Sequence, residues 1–130
     1  SMRIPPTANA KKAVHAMKKT LSENIPYDAT VELQFEKAGE GWNAPESKPW
    51  LLEAIDKASK EYFGQMACSM GEGGSIPFMG MLGKQFPEAQ FVITGVLGPQ
   101  SNAHGPNEFL HIPFAKRLTC CISSIIADYK

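Results

Sequence analysis

The sequence is poor in most of the features that announce a function. Lys and Arg number 13 and Asp and Glu number 13, a formal net charge of zero. No cationic surface therefore argues for nucleic acid or an anionic membrane as a partner. The longest apolar runs, "FVITGVL" and "LTCCISSIIA", fall short of the roughly 20 residues that cross a bilayer as a helix. The opening "SMRIPPTANA" has no secretory-signal pattern. There are only 3 histidines and 3 cysteines, with no CxxC or similar metal-ligand spacing. An odd cysteine count leaves at least one thiol unpaired. Cys120 and Cys121 are adjacent on what reads as a helix, a poor geometry for pairing with each other, and Cys68 lies in an apolar run. Buried, reduced thiols in a cytoplasmic protein are the expectation. "GEGGSIP" has the glycines of a phosphate loop but lacks its lysine-serine pair.

What is there is an ordinary globular composition, 43% hydrophobic over 130 residues, enough for one compact domain with a core of useful size. "RIPP" reads as a strand end stopped by prolines. Ala10, Ala13, Val14, Met17 and Leu21 then recur at helical spacing, with Lys11, Lys12, Lys18 and Lys19 opposite and Thr7 or Asn9 as the cap. "TVELQFEK" alternates Val31, Leu33 and Phe35 with polar neighbours, the period of a half-buried strand. The Gly-, Pro- and Asn-rich "AGEGWNAPESKP" reads as a linker. Ser47 is placed to cap a second helix, with Pro49 in its first turn, Leu51, Leu52, Ile55, Ala58, Tyr62 and Phe63 on its apolar face and Gly64 at its end. "QMACSM" reads as a short strand, and Ser75 and Pro77 open a third helix. "AQFVITGVL" has the continuous apolar character of a strand buried on both faces of a parallel sheet. A last helix starts near Pro113 and carries Phe114, Leu118, Cys121, Ile122, Ile125 and Tyr129 on one side.

This order predicts an α/β fold: a partial parallel-sheet segment preceded by a β-α-β piece. In open α/β sheets ligands sit beyond the carboxyl ends of the strands, where "GEGGSIP" and "LGPQSNAHGPNE" both fall. Ser75, at a helix start behind Gly73 and Gly74, either receives a carboxylate or phosphate or simply caps its helix. His104 is either a loop histidine or a metal ligand, with Asn102, Asn107 and Glu108 placed to orient it. A zinc site needs three or four ligands, and His15, His111 and the carboxylates do not assemble into one. His15 sits beside the lysines on a solvated helix face, and His111 is better suited to cap the last helix. Glu72 either accepts a substrate amine or proton or satisfies turn amides. Arg3 is either a carboxylate clamp or an edge-strand surface residue.

Taken in order and spacing, "SMRIPP", "GWNAP", "MGEGGSIPF" and "NAHGPNE" resemble the carboxyl-terminal portion of the dinuclear zinc metallopeptidases, the family of carnosinase-type dipeptidases, glutamate carboxypeptidases and aminoacylases, and most of all its dipeptidase branch. The resemblance spans essentially the whole chain. It implies that residues 1–40 are the second half of a lid or dimerisation domain and residues 41–130 the end of an α/β catalytic domain. It implies that His104 is the last zinc ligand, that Gly74 and Ser75 belong to the loop holding the substrate carboxylate, that Arg3 reaches that carboxylate, and that Glu72 and Glu40 lie near the substrate. The substrate class implied is a short peptide or acyl-amino acid, and the cofactor two zinc ions, with manganese or cobalt as alternatives.

The family's His-x-Asp motif, bridging aspartate, Glu-Glu pair and further acidic ligand do not occur in these 130 residues. The general-base glutamate is the first of that pair, so the chain contains no catalytic residue of its own. The expectation is a piece of a metal-dependent amide hydrolase, inactive alone and completed by an upstream segment of the same enzyme, with homo-oligomerisation compensating for an incomplete sheet. The contrasting expectation is a non-catalytic dimerisation module whose "GEGGSIP" loop binds an anion.

Overall fold

Helices form where apolar residues recur every three to four positions behind a start signal. The computed structural model describes residues 2–36, 38–71, 77–98 and 100–129. Among them are four α-helices, α1 (Ala10–Ser22), α2 (Pro49–Phe63), α3 (Pro77–Gln85) and α4 (Ile112–Ala127), and one 3-10 turn, Pro26–Asp28. At α1 the cap is Asn9, whose side chain accepts the Lys12 N–H at 2.9 Å. α2 starts with Pro49 at a position where a missing N–H loses nothing, and ends at Gly64 in the left-handed region, φ 76°. Its cap is Lys48 rather than Ser47, without a side-chain cap bond; the Lys48 N–H instead donates to Gln90 Oε1. α4 is capped by His111, whose Nδ1 accepts the Phe114 N–H at 3.0 Å.

The expected α/β architecture is not found. No strand occurs among the described residues, and the fold is helical. Residues 30–36, 65–70 and 89–97 are non-helical, but no ladder hydrogen bond joins any of them to a described neighbour. "AQFVITGVL" is not buried on two faces: Ile93 and Leu97 are about 60% exposed. The reason is physical. Alternation and β-branching favour an extended backbone, but a strand exists only when a neighbour takes its N–H and C=O groups, and that neighbour is not encoded in the local pattern.

The chain divides into two units, each built from two separate segments. The first comprises Ser1–Ala44 and Gly71–Ala89, the second Pro45–Met70 and Gln90–Lys130. In the first, Ala10 is buried at the start of α1, and its N–H donates to Glu40 Oε2 at 3.0 Å across 30 residues of sequence. A carboxylate there meets both an orphan donor and the positive end of the helix dipole. Gly41 is required where its segment crosses the Pro5–Pro6 backbone, because a Cβ at Gly41 would lie 2.7 Å from it. Lys18 Nζ sits 4.9 Å from the centre of the Phe35 ring.

The second unit is held by α2 against α4. Leu51, Ala54 and Ala58 from α2 and Cys121 and Ile125 from α4 are buried, flanked by Trp50, Ile55, Tyr62, Phe63 and Ile122. The alanines let the two backbones approach closely, and Cys121 Sγ donates to the Ala58 carbonyl at 3.4 Å. Trp50 meets Tyr129 edge-on at 5.3 Å, and Phe63 meets Phe114 at 5.1 Å. Lys57 Nζ pairs with Asp128 at 2.8 Å, and this hydrogen bond and its charge raise the lysine pKa. Burial first, then the neighbouring Cys120 and Glu61, pushes the Cys121 thiol up. Glu61 does the same to the Tyr62 phenol, with burial second. Two expectations are corrected here. Leu52 is half exposed, because it sits to one side of the Leu51–Ala54–Ala58 stripe of α2 that is buried with α4, and of the three free thiols only Cys121 is buried while Cys68 and Cys120 are exposed.

Candidate functional site

The loop around His104 is built from its base upward. Ser101 is buried, 4% exposed, in a stretch that is otherwise open to solvent. Its hydroxyl donates to the Gly98 carbonyl at 2.8 Å, and its own carbonyl accepts the Phe109 N–H at 3.2 Å, closing the loop. Inside that closure, the Gly105 N–H donates to the Asn102 carbonyl at 2.9 Å, which makes Asn102–Gly105 a β-turn. His104 stands at its third position with φ 62°. A positive φ there is the mark of a type II turn, a place normally given to glycine or asparagine.

Gln100, Asn102 and Asn107 also have positive φ, so four non-glycine residues adopt the left-handed region within eight positions. Each carries a penalty of roughly 1–2 kcal/mol relative to ordinary backbone, somewhat less for asparagine, and persists only where surrounding bonds over-determine it. Those bonds are present. Asn102 Nδ2 donates to the Pro106 carbonyl at 2.7 Å, and the His104 N–H donates to Glu108 Oε2 at 3.1 Å. Gly105 is the residue that fits beneath Asn102, since a Cβ there would come within 2.7 Å of the Asn102 amide.

The imidazole of His104 is exposed and makes no hydrogen bond among the described residues. Asn102, Asn107 and Glu108 do not orient the ring itself. Asn102 and Glu108 act on the backbone that carries it. The i to i+4 spacing of His104 and Glu108 around an Asn-x-x-Gly turn was the available signal for that bond. Other candidates lie elsewhere. Arg3 is exposed in the first unit, just ahead of the Pro5–Ala8 turn. Glu40, also in the first unit, holds the start of α1. Glu72, Gly74 and Ser75 lie outside the described residues. His15 is exposed on α1, and the Nδ1 of His111 is engaged by its helix cap.

Within the first unit, Glu40, Trp42, Met81 and Lys84 line an open cleft of about 570 Å³ along α3. Trp42 lies across Gly80, where a Cβ would meet its ring at 3.6 Å. α3 begins at Pro77, the first residue after the 72–76 stretch.

Whether these residues fit a zinc site can be judged from donor chemistry. An imidazole, exposed and carried on a braced loop, fits one ligand position. A complete site needs at least three, and among the described residues no group of three or more His, Cys, Asp or Glu side chains is placed to hold a metal ion. The described residues therefore fit a single ligand and not a whole site. No helix among them is long and apolar enough to cross a membrane.

No family model matches the chain. It is similar to a cysteinylglycine-S-conjugate dipeptidase of Corynebacterium striatum, 27% identical over 123 residues that take in 89% of this chain. The chain spans 27% of that relative's length.

Proposed function

We propose that this chain is the carboxyl-terminal part of a zinc-dependent peptidase that hydrolyses short peptides or acyl-amino acids. The observation that carries the reading is the similarity to a dipeptidase along nearly the whole chain. The braced loop that leaves the His104 imidazole exposed agrees with it. In this reading His104 is one metal ligand, and the remaining ligands and the general-base glutamate come from an upstream segment. Zinc when bound supplies Lewis-acid polarisation of the scissile carbonyl and a water of lowered pKa; manganese or cobalt could serve the same chemistry. The chain's own share is binding. Gly74 and Ser75 receive the free carboxylate end of the substrate, Glu72 accepts a substrate amine or proton, and Arg3 adds a guanidinium fork for the carboxylate. Fixing that terminus selects short substrates. The free thiols support a reducing, cytoplasmic setting.

The 130 residues alone are inactive in this account. Hydrolysis of cysteinylglycine and of an N-acyl-amino acid should appear only when the upstream segment is supplied, and should be lost in His104→Ala. Zinc-dependent hydrolysis by the pure chain would contradict the reading.

A second reading has its own observation. Large apolar side chains are exposed on the second unit, among them Met66, Ile93, Leu97, Phe109, Leu110 and Ile112, and exposed apolar surface of that kind favours a protein partner where it is continuous. If the chain forms a stable homo-oligomer and binds inorganic phosphate or acetate without any upstream segment, it is a dimerisation and anion-binding module instead.

A further inference from the structure

Glu108 is exposed, yet its carboxylate is committed to one backbone group, the N–H of His104, at 3.1 Å. That amide belongs to a residue at φ 62°, a left-handed conformation that costs a non-glycine residue energy and that histidine tolerates better than most. Two bonds restrain it: the Gly105 to Asn102 turn bond, which bridges it, and the Glu108 bond, which holds its own nitrogen. Only the second acts on the His104 amide directly. Phe109, the next residue, ties the loop base through its N–H to Ser101, so the carboxylate is delivered from an anchored position and not from a swinging one.

The geometry points to Glu108 as the positioning residue of His104: its carboxylate fixes the left-handed backbone from which the imidazole is presented. This rests on the reading of His104 as a metal ligand. It differs from the usual outer-layer arrangement, in which a carboxylate bonds the far ring nitrogen. Here the support passes through the main chain, leaving both ring nitrogens available. Without Glu108, His104 relaxes toward ordinary negative φ and the imidazole leaves its direction. Ligand affinity then falls although every ligand is still present.

The test compares Glu108→Ala, Glu108→Gln and His104→Ala. In the 130-residue chain, NMR reads the strong intraresidue amide-to-Hα NOE that positive φ produces at residue 104, alongside the thermal midpoint. In the chain completed by the upstream segment, zinc affinity is read by competition with a chelator. Glu108→Ala should lose the NOE with an unchanged midpoint and weaken zinc by about 10–100-fold, the usual range for a group that orients a ligand. Glu108→Gln keeps a carbonyl acceptor and should restore the NOE and most of the affinity. Retention of the NOE in Glu108→Ala, or its loss with zinc affinity unchanged, would overturn the inference. Zinc binding indifferent to His104→Ala would instead overturn the ligand reading on which it rests, so the two failures are separable.

Discussion

Leu51 and Leu52 are adjacent, chemically identical and on the same helix, but Leu51 is 2% exposed between α2 and α4 while Leu52 is 50% exposed. Truncating each to alanine isolates burial, because helix propensity and the unfolded-chain effects change equally. For Leu51 the removed methine and two methyl carbons correspond to about 2.4 kcal/mol of transfer free energy at ~0.8 kcal/mol per carbon. The cavity left between the helices brings the total to roughly 3 kcal/mol. For Leu52 half the area is already wet and no closed cavity forms, so about 1 kcal/mol is expected. A unit of this length has a total stability of roughly 3–10 kcal/mol. Leu51→Ala should therefore unfold a visible fraction of the second unit, and Leu52→Ala should not. Urea titration followed by circular dichroism at 222 nm, with Trp50 fluorescence as a second probe, measures both. Equal losses for the two variants, or a loss below about 1 kcal/mol for Leu51→Ala, would refute the packing described for α2 and α4.

Other expectations follow from the same helix pair and its caps. His111→Ala removes the side chain that accepts the Phe114 N–H and should lower stability by about 1 kcal/mol, with faster amide exchange at Phe114 as the local readout. Burial raises the Cys121 pKa, so iodoacetamide should label the exposed Cys68 and Cys120 well before Cys121, as peptide mass mapping can follow. Rapid labelling of Cys121 in folded protein would contradict its place in the core. Cys121, Tyr62 and Lys57 all titrate higher in the folded chain than when unfolded. A raised folded pKa contributes stability that is complete below the unfolded value and lost as pH rises through the folded one. Stability of the second unit should thus be insensitive to these groups below about pH 8, and decline above about pH 8.5, where an unfolded cysteine begins to ionise. A decline centred near neutrality would not fit.

The helices were legible because their information is local. α1, α2 and α4 appear where the 3.6-residue spacing, Asn9, Pro49, Gly64 and His111 put them. Errors inside them were errors of facing. Leu52 looked apolar enough for the core, but only the position of α4 decides which stripe of α2 is covered. The strands were not legible in the same way. "TVELQFEK" and "AQFVITGVL" carry the composition of strands, yet pairing depends on segments distant in sequence, and none of the described ones pairs with them. His104 stood out as a candidate from its surroundings in "NAHGPNE". Its left-handed backbone could not be read from residue types alone, and only the four-residue spacing of His104 and Glu108 pointed to the carboxylate that holds it.

In the proposed function His104 is a metal ligand whose partners come from an upstream segment. Zinc stoichiometry after chelator dialysis and readdition tests it, on wild type and His104→Ala, each with and without the upstream segment. Tight zinc is expected only in the completed wild-type protein. Tight zinc held by the 130 residues alone, or zinc retained equally by His104→Ala, would contradict it.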